Sequence, residues 1–140
     1  MKKQIKSIVA VAMILVLSLG VFGCAAAKLP DGFDKEEVGT AAEEIVGLAT
    51  EGDFDSIIAS MRDDLKGSIT SDQLKEGWGP IYQNAGSFVS ITKTALSGIA
   101  DKNTGEEYAM AQVLVKYDKA NLVYTLSFDK DLKLVGLYLK

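Results

Sequence analysis

Cys24 is the only cysteine in this chain of 140 residues, and the chain contains no histidine. A Ser-His-Asp or Cys-His nucleophilic site and a Cys₂His₂-type zinc site are therefore excluded, and an internal disulfide cannot form. What remains open to Cys24 is the chemistry of a thiolate, which is nucleophilic enough to form a thioether. The segment before the thiol indicates which thioether that would be.

An uncharged run of 17 residues, from Ser7 to Gly23, leads directly into Cys24. Its apolar part, Ile8 to Leu19, has the length of a signal-peptide h-region. The positive n-region before it contains the lysines Lys2, Lys3 and Lys6. The last residues of the run, Val21-Phe22-Gly23, together with Cys24 resemble the lipobox of bacterial lipoprotein signal peptides.

The resemblance implies that the Cys24 thiol receives a diacylglycerol and that the chain is cut just before it. Residues 1–23 are then a lipoprotein signal peptide, and residues 24–32 are a lipidated tether too short to hold a domain far from the bilayer. Two or three acyl chains, at roughly 0.8 kcal/mol per buried CH₂, anchor a domain stably. The expected location is the extracytoplasmic face of the cell membrane, with the membrane as partner through this lipid.

Two other interpretations of Cys24 stay open. The 17 uncharged residues are near the lower limit for a membrane span, so Cys24 would be an ordinary thiol beside an uncleaved helix. Alternatively, a standard signal peptidase would cut near Ala25-Ala26-Ala27 and leave no lipid.

Acidic side chains dominate the rest of the chain. Removing residues 1–23 leaves 12 basic against 19 acidic side chains, so the formal charge changes from −4 to −7. The phosphates of a nucleic acid would be repelled, and we expect no such partner. The triplet Asp129-Lys130-Asp131 lacks the glycine and the distal glutamate of a calcium loop. It is interpreted as a solvated turn, and we expect neither a metal nor a cofactor.

The first half of the body is predicted to be helical. Asp34 and Glu37 have the form of a capping box, and apolar residues from Val38 to Ala49 recur on one helical face. A second helix is predicted from about Asp53 to Leu65, ending before Gly67.

A third helix begins at Thr70 or Ser71 and ends at Ala85. Pro80 inside it predicts a kink or two short helices, because proline removes a backbone donor and clashes with the preceding turn. From Phe88 the sequence turns to β-branched and aromatic residues. Four strands are predicted, over residues 88–100, 108–117, 122–128 and 132–139.

Short loops between these strands make them antiparallel neighbours. Residues 33–140 are therefore predicted to form a single α+β domain, with N-terminal helices packed on a curved four-stranded antiparallel meander. Segments such as Ala111–Val115 are apolar on both faces, so the second sheet face would be covered by a partner or lie near lipid. A simpler account is that Lys116, Tyr117 and Thr125 leave that face half polar.

Trp78, the entry Gly86-Ser87-Phe88 into the first strand, and the closing segment Phe128–Tyr138 carry a resemblance over about residues 33–140. The body resembles the cone-shaped, cystatin-like or nuclear-transport-factor-like superfamily that includes ketosteroid isomerase. Within it, the body is most similar to an uncharacterised bacterial domain family, often secreted, lipid-anchored or fused ahead of an α/β-hydrolase module. The resemblance implies a pocket between the concave sheet face and the helices. These residues shape a fold and say little about activity.

Acid–base chemistry in such a cone needs a carboxylate base and an acid donor inside it. The last three predicted strands contain no Asp or Glu, and no residue matches the superfamily's enzymatic machinery, so no catalytic residue is assigned. The candidates for a ligand site are Trp78 and Tyr82 on one helical face and Tyr124 in mid-strand, with Gln112 to orient a ligand. The competing interpretation is that these aromatic residues are simply core.

Three hypotheses about function follow. The leading one is a non-catalytic, lipid-anchored extracytoplasmic domain that binds a small ligand, a wall or peptide fragment, or a partner protein. The second is a small cone-fold enzyme of isomerase, hydratase or hydrolase-accessory type, which predicts an acidic side chain turned into the cavity with a raised pKa. The third is a homodimeric assembly module, which predicts an apolar patch on the order of several hundred Å² on the convex sheet face.

Overall fold

The computed structural model describes residues 28–140. Its elements are α1 (Lys35–Glu51), α2 (Phe54–Ala59), α3 (Ser71–Ala85), β1 (Phe88–Ala100), β2 (Glu107–Tyr117), β3 (Asn121–Phe128) and β4 (Leu134–Leu139). The strands form one sheet in the order β1-β2-β3-β4, and all neighbours are antiparallel. The predicted α+β architecture, with helices before a four-stranded antiparallel meander, is confirmed. In this part of the chain, no helix is long and apolar enough to cross a bilayer.

Helix α1 begins where the capping pattern predicts. The Asp34 carboxylate accepts hydrogen bonds from the backbone N–H groups of Glu36 (2.9 Å) and Glu37 (3.0 Å), which have no partner within the helix. Gly52 ends the helix at φ 78°, in the left-handed region that favours glycine. The buried face of α1 consists of Val38, Ala42, Ile45, Val46 and Ala49.

Helix α2 is shorter than predicted. It ends at Ala59, because the backbone groups that follow bond to the sheet instead of continuing the helix. The Arg62 N–H donates to the Leu134 carbonyl (3.0 Å), and the Leu134 N–H donates to the Ser60 carbonyl (2.9 Å). The prediction of a helix as far as Leu65 is therefore wrong: Met61 forms a single parallel bridge with Leu134 of β4, and residues 63–67 form turns.

Helix α3 begins at a complete capping box. The Thr70 hydroxyl accepts the Gln73 N–H (3.2 Å), and the Gln73 side-chain oxygen accepts the Thr70 N–H (2.9 Å). Pro80 lies inside one helix that runs from Ser71 to Ala85, so the alternative of two short helices is wrong. The helix consequently holds Trp78 and Tyr82 one turn apart on the same side.

The sheet has a face turned to the helices, the helix face, and an opposite outer face. Side chains alternate between the faces along each strand. Strands β2 and β3 bury their helix-face residues, which are Ala109, Ala111, Val113, Val115, Tyr117, Leu122, Tyr124, Leu126 and Phe128. Tyr117 therefore lies in the core, and the expectation that it makes the second face polar is wrong.

The residues before α1 are packed against the sheet. Leu29 contacts the core. A Cβ added to Gly98 in β1 would lie 2.7 Å from the Lys28 carbonyl oxygen and 2.8 Å from Pro30 Cδ, so the two segments touch closely. We call residues 28–32 the strap. It falls within the segment that the sequence analysis assigned to the tether.

The turn between β3 and β4 is built on a buried carboxylate. Asp129 is 7% exposed. One of its oxygens accepts the N–H groups of Asp131 (3.0 Å) and Lys133 (2.9 Å). Leu132 takes a left-handed conformation at φ 58°, and β4 starts only at Leu134. The prediction of a solvated turn is wrong for Asp129, whose carboxylate satisfies the backbone of the turn.

Candidate functional site

The fold brings three of the four predicted ligand residues together under α3. The Trp78 ring meets Tyr124 edge-on at a centroid distance of 6.0 Å and Tyr82 at 6.3 Å. Tyr117, which the sequence analysis left out, joins them at 6.0 Å from the Tyr82 ring. We call these four residues the aromatic cluster. The two-residue spacing from Val115 shows that Tyr117 shares its face, but the sequence does not reveal that this face points inward.

The tyrosine hydroxyls of the cluster form a short chain. The Tyr124 hydroxyl lies 2.9 Å from that of Tyr82 and 2.7 Å from that of Tyr117. Burial raises the pKa of all three phenols, so they stay neutral at physiological pH. Trp78 packs edge-on against Tyr82 and Tyr124, the Tyr82 and Tyr117 rings are tilted by 32°, and the hydroxyls satisfy one another. This is the arrangement of a structural polar network. This geometry favours the core interpretation of the cluster.

Gln112 is not part of this arrangement. It pairs with Thr125 across β2 and β3, while its neighbour Val113 pairs with Tyr124. Since successive residues point to opposite faces, Gln112 lies on the outer face, half-buried. The expectation that it orients a ligand beside Trp78 is therefore wrong.

The outer face carries a concavity that the sequence analysis did not predict. Its volume is about 260 Å³, slightly below the usual range of small-ligand pockets. Most of its lining is apolar, and the polar side chains are hydroxyls, one guanidinium and the Asp101 carboxylate. We call it the outer-face groove; it is lined by Arg62, Leu65, Ile99, Ala100, Asp101, Tyr108, Met110, Thr125, Ser127, Val135, Gly136, Leu137 and Tyr138.

Arg62 forms the polar wall of the groove. Its guanidinium contacts Asp64 at 2.8 Å and Glu106 at 3.0 Å, and it lies 6.0 Å from the centre of the Tyr108 ring. The Tyr108 hydroxyl donates to Glu106 at 2.8 Å. The hydrogen bond from Arg62 lowers the pKa of Asp64. The positive charge of Arg62 is thus already balanced by carboxylates.

A second concavity, of about 300 Å³, lies between the β1–β2 and β3–β4 turns. Its charged lining is mainly acidic and comprises Glu106, Glu107, Asp129, Lys130 and Asp131. Within residues 28–140, no group of three or more acidic, cysteine or histidine side chains is arranged to hold a metal ion. The second concavity therefore contributes negative charge beside the groove.

Residues 42–137 match the profile of a protein family described as a protein of unknown function (DUF3887). The chain belongs to this family. The predicted resemblance to an uncharacterised domain family is thereby confirmed. The DUF3887 match contains the whole aromatic cluster and all of the groove lining except Tyr138.

A solved relative supports the same fold for this DUF3887 member. The NMR structure of a protein from Ruminococcus gnavus ATCC 29149 is 30% identical, with a TM-score of 0.71. The similarity covers 81% of this chain and 96% of that one. No curated protein matches the chain. Cys24 and the predicted signal peptide lie outside the described residues.

Proposed function

We propose that this DUF3887 protein is a non-catalytic, lipid-anchored domain on the extracytoplasmic face of the cell membrane that binds a small, largely apolar ligand in the outer-face groove. The groove carries this proposal. It combines an apolar lining with a few hydroxyl groups, which is the usual composition of a site for a small organic molecule. The floor includes Met110, which is 3% exposed although it lies outside the main core.

The anchoring part of the proposal is supported by the sequence. The lipobox-like Val21-Phe22-Gly23-Cys24 follows a positive n-region and an apolar run of signal-peptide length. We also propose that the domain belongs to the nuclear-transport-factor-like superfamily, because its helices precede a meander of strands.

The contacts of the Asp129 carboxylate favour a binding role over acid–base catalysis. Among the described residues it is the buried carboxylate. One of its oxygens accepts two backbone N–H groups of its own turn, and the other lies 4.0 Å from the Arg62 guanidinium. It is therefore committed to the structure of the turn and is not placed to accept a proton from a ligand in the groove.

A neutral fluorescent probe tests the groove. The mature body, residues 25–140, is titrated with N-phenyl-1-naphthylamine, which fluoresces more strongly in apolar surroundings. We expect saturable binding that Ser127→Phe abolishes by filling the groove. Ser90→Phe is the matched control, because Ser90 is exposed and pairs with Lys116 on the same face, outside the groove lining. Equal binding by both folded variants would contradict the proposal.

A further inference from the structure

The strap contacts the same end of the sheet as the groove, but on the other face. The Lys28 carbonyl and the Pro30 ring lie against Gly98, and the next residues of β1, Ile99 and Ala100, line the groove. Further along the strap, Gly32 approaches the Lys130 side chain in the β3–β4 turn, 3.8 Å from a Cβ added to this glycine. Gly98 pairs with Ala109 of the helix face, so the strap contacts the helix face, whereas the groove opens on the opposite face. Both lie at the end of the sheet that carries the β1–β2 and β3–β4 turns.

Little chain remains between this docked strap and the proposed lipid. Four residue steps separate Lys28 from Cys24, and they span at most about 14 Å when fully extended. A domain anchored through Cys24 must then keep the strap end of its sheet at the membrane surface. The groove, at that same end, is brought within reach of the outer leaflet.

The charges around the groove restrict which lipid head groups can bind there. The groove is bordered by Asp101 and Glu106, and the acidic turn with Asp129 and Asp131 lies beside it. Arg62, the positive group in the lining, is already paired with carboxylates. An anionic head group would be repelled here, whereas an uncharged hydroxylated head can bond to Thr125, Ser127 and the tyrosine hydroxyls.

We propose that the outer-face groove takes the part of the aliphatic chain nearest the head group of an uncharged, single-chain lipid, of the monoacylglycerol type, drawn from the membrane that carries the protein. This inference rests on the proposed function and names its ligand class. The apolar lining receives the chain, and the hydroxyls at the rim receive the head.

Photocrosslinking in vesicles tests the proposal with the full chain and its own anchor. The protein is reconstituted into phosphatidylcholine vesicles that contain a diazirine-tagged monoacylglycerol or the matched tagged fatty acid. Flotation reports anchoring, and mass spectrometry locates the label after illumination. We expect label on β2 and β4 residues of the groove, about tenfold more from the neutral lipid than from the acid. Ser127→Phe should remove this label, and Ser90→Phe should not.

The outcomes separate the two proposals. Protein that does not float contradicts the lipid anchor and this inference together. Protein that floats but is labelled outside the groove, or equally by the fatty acid, overturns this inference and leaves the proposed binding domain standing. If Ser127→Phe fails to fold, Tyr138→Ala replaces it; this residue is 36% exposed at the rim, and its loss should reduce the groove label. Unchanged groove label in that folded variant would overturn the inference.

Discussion

At the scale of single residues, Tyr124 is the middle member of the hydroxyl chain. It is fully buried, and its hydroxyl contacts those of both Tyr82 and Tyr117. Removing it leaves two other hydroxyls without their partner, whereas removing an end member leaves Tyr124 with one remaining bond. The cost of a lost hydrogen bond depends chiefly on the polar groups left unsatisfied.

We therefore expect Tyr124→Phe to lower the free energy of unfolding by roughly 1–3 kcal/mol. Tyr82→Phe is the matched control and should cost less, because Tyr82 is partly exposed and its partner keeps Tyr117. Urea unfolding of both variants measures the difference. Equal costs would show that the chain of hydroxyls does not act as a unit.

The same network predicts a loss of stability in alkali. Burial raises the pKa of Tyr82, Tyr117 and Tyr124 in the folded state above the ordinary value of tyrosine. Their contribution is fully present below about pH 10, the pKa in the unfolded chain, and is lost as pH rises toward the folded values. Unfolding free energies measured across this range should fall, with a shallower slope in Tyr124→Phe. Early appearance of tyrosinate absorbance from three buried rings in the folded protein would contradict this.

Part of the aromatic cluster could be predicted from the sequence. Trp78 and Tyr82 were predictable because helical spacing fixes their common face. Tyr117 and Gln112 were misplaced, since a strand that is apolar on both faces does not reveal which parity points inward. Only the position of the helices over the sheet settles that choice.

At the scale of elements, the strap makes its closest contact with the sheet at Gly98. A methyl group there would overlap the Lys28 carbonyl and the Pro30 ring, and both belong to a stiff backbone segment. A glycine in a strand often marks such a close approach of another backbone.

Gly98→Ala is expected to displace the strap while leaving the sheet folded. Hydrogen exchange at the Phe33 N–H, which donates to the Pro30 carbonyl (3.4 Å), should accelerate. Stability should fall by about 1–3 kcal/mol as in other overpacked sites. Gly47→Ala is the control: nothing lies within 4 Å of its added Cβ, and it stands inside α1. It should stabilise the protein by roughly 0.5–1 kcal/mol. An undisturbed strap in Gly98→Ala would show that residues 28–32 are not held by this contact.

Some helix boundaries depend on neighbouring residues and others on distant contacts. The starts of α1 and α3 were predicted because their caps are hydrogen bonds between residues two or three positions apart in the sequence. The end of α2 was not predicted, because the backbone groups of Ser60 and Arg62 form hydrogen bonds with Leu134, which is 70 or more positions away in the chain.

At the scale of the whole molecule, the proposed anchor depends on one thiol. Cys24→Ser should abolish incorporation of a tagged fatty acid in growing cells, and the protein should retain residues 1–23. Ala25→Ser, a change of the neighbouring residue, should keep both acylation and cleavage. Mass spectrometry of the purified proteins checks both points. Cleavage of Cys24→Ser at the normal place, or an unacylated native protein, would contradict the lipoprotein assignment.

The sequence by itself determined the order of elements, the antiparallel meander and the helix caps, because each depends on periodicity, turn residues or hydrogen bonds between near neighbours. It also excluded every site that needs histidine or paired cysteines. The tertiary structure alone decided which sheet face is inside, that Asp129 is buried, and that Arg62 and Leu65 line a groove on the outer face. These depend on contacts between distant parts of the chain, whose geometry no local pattern encodes.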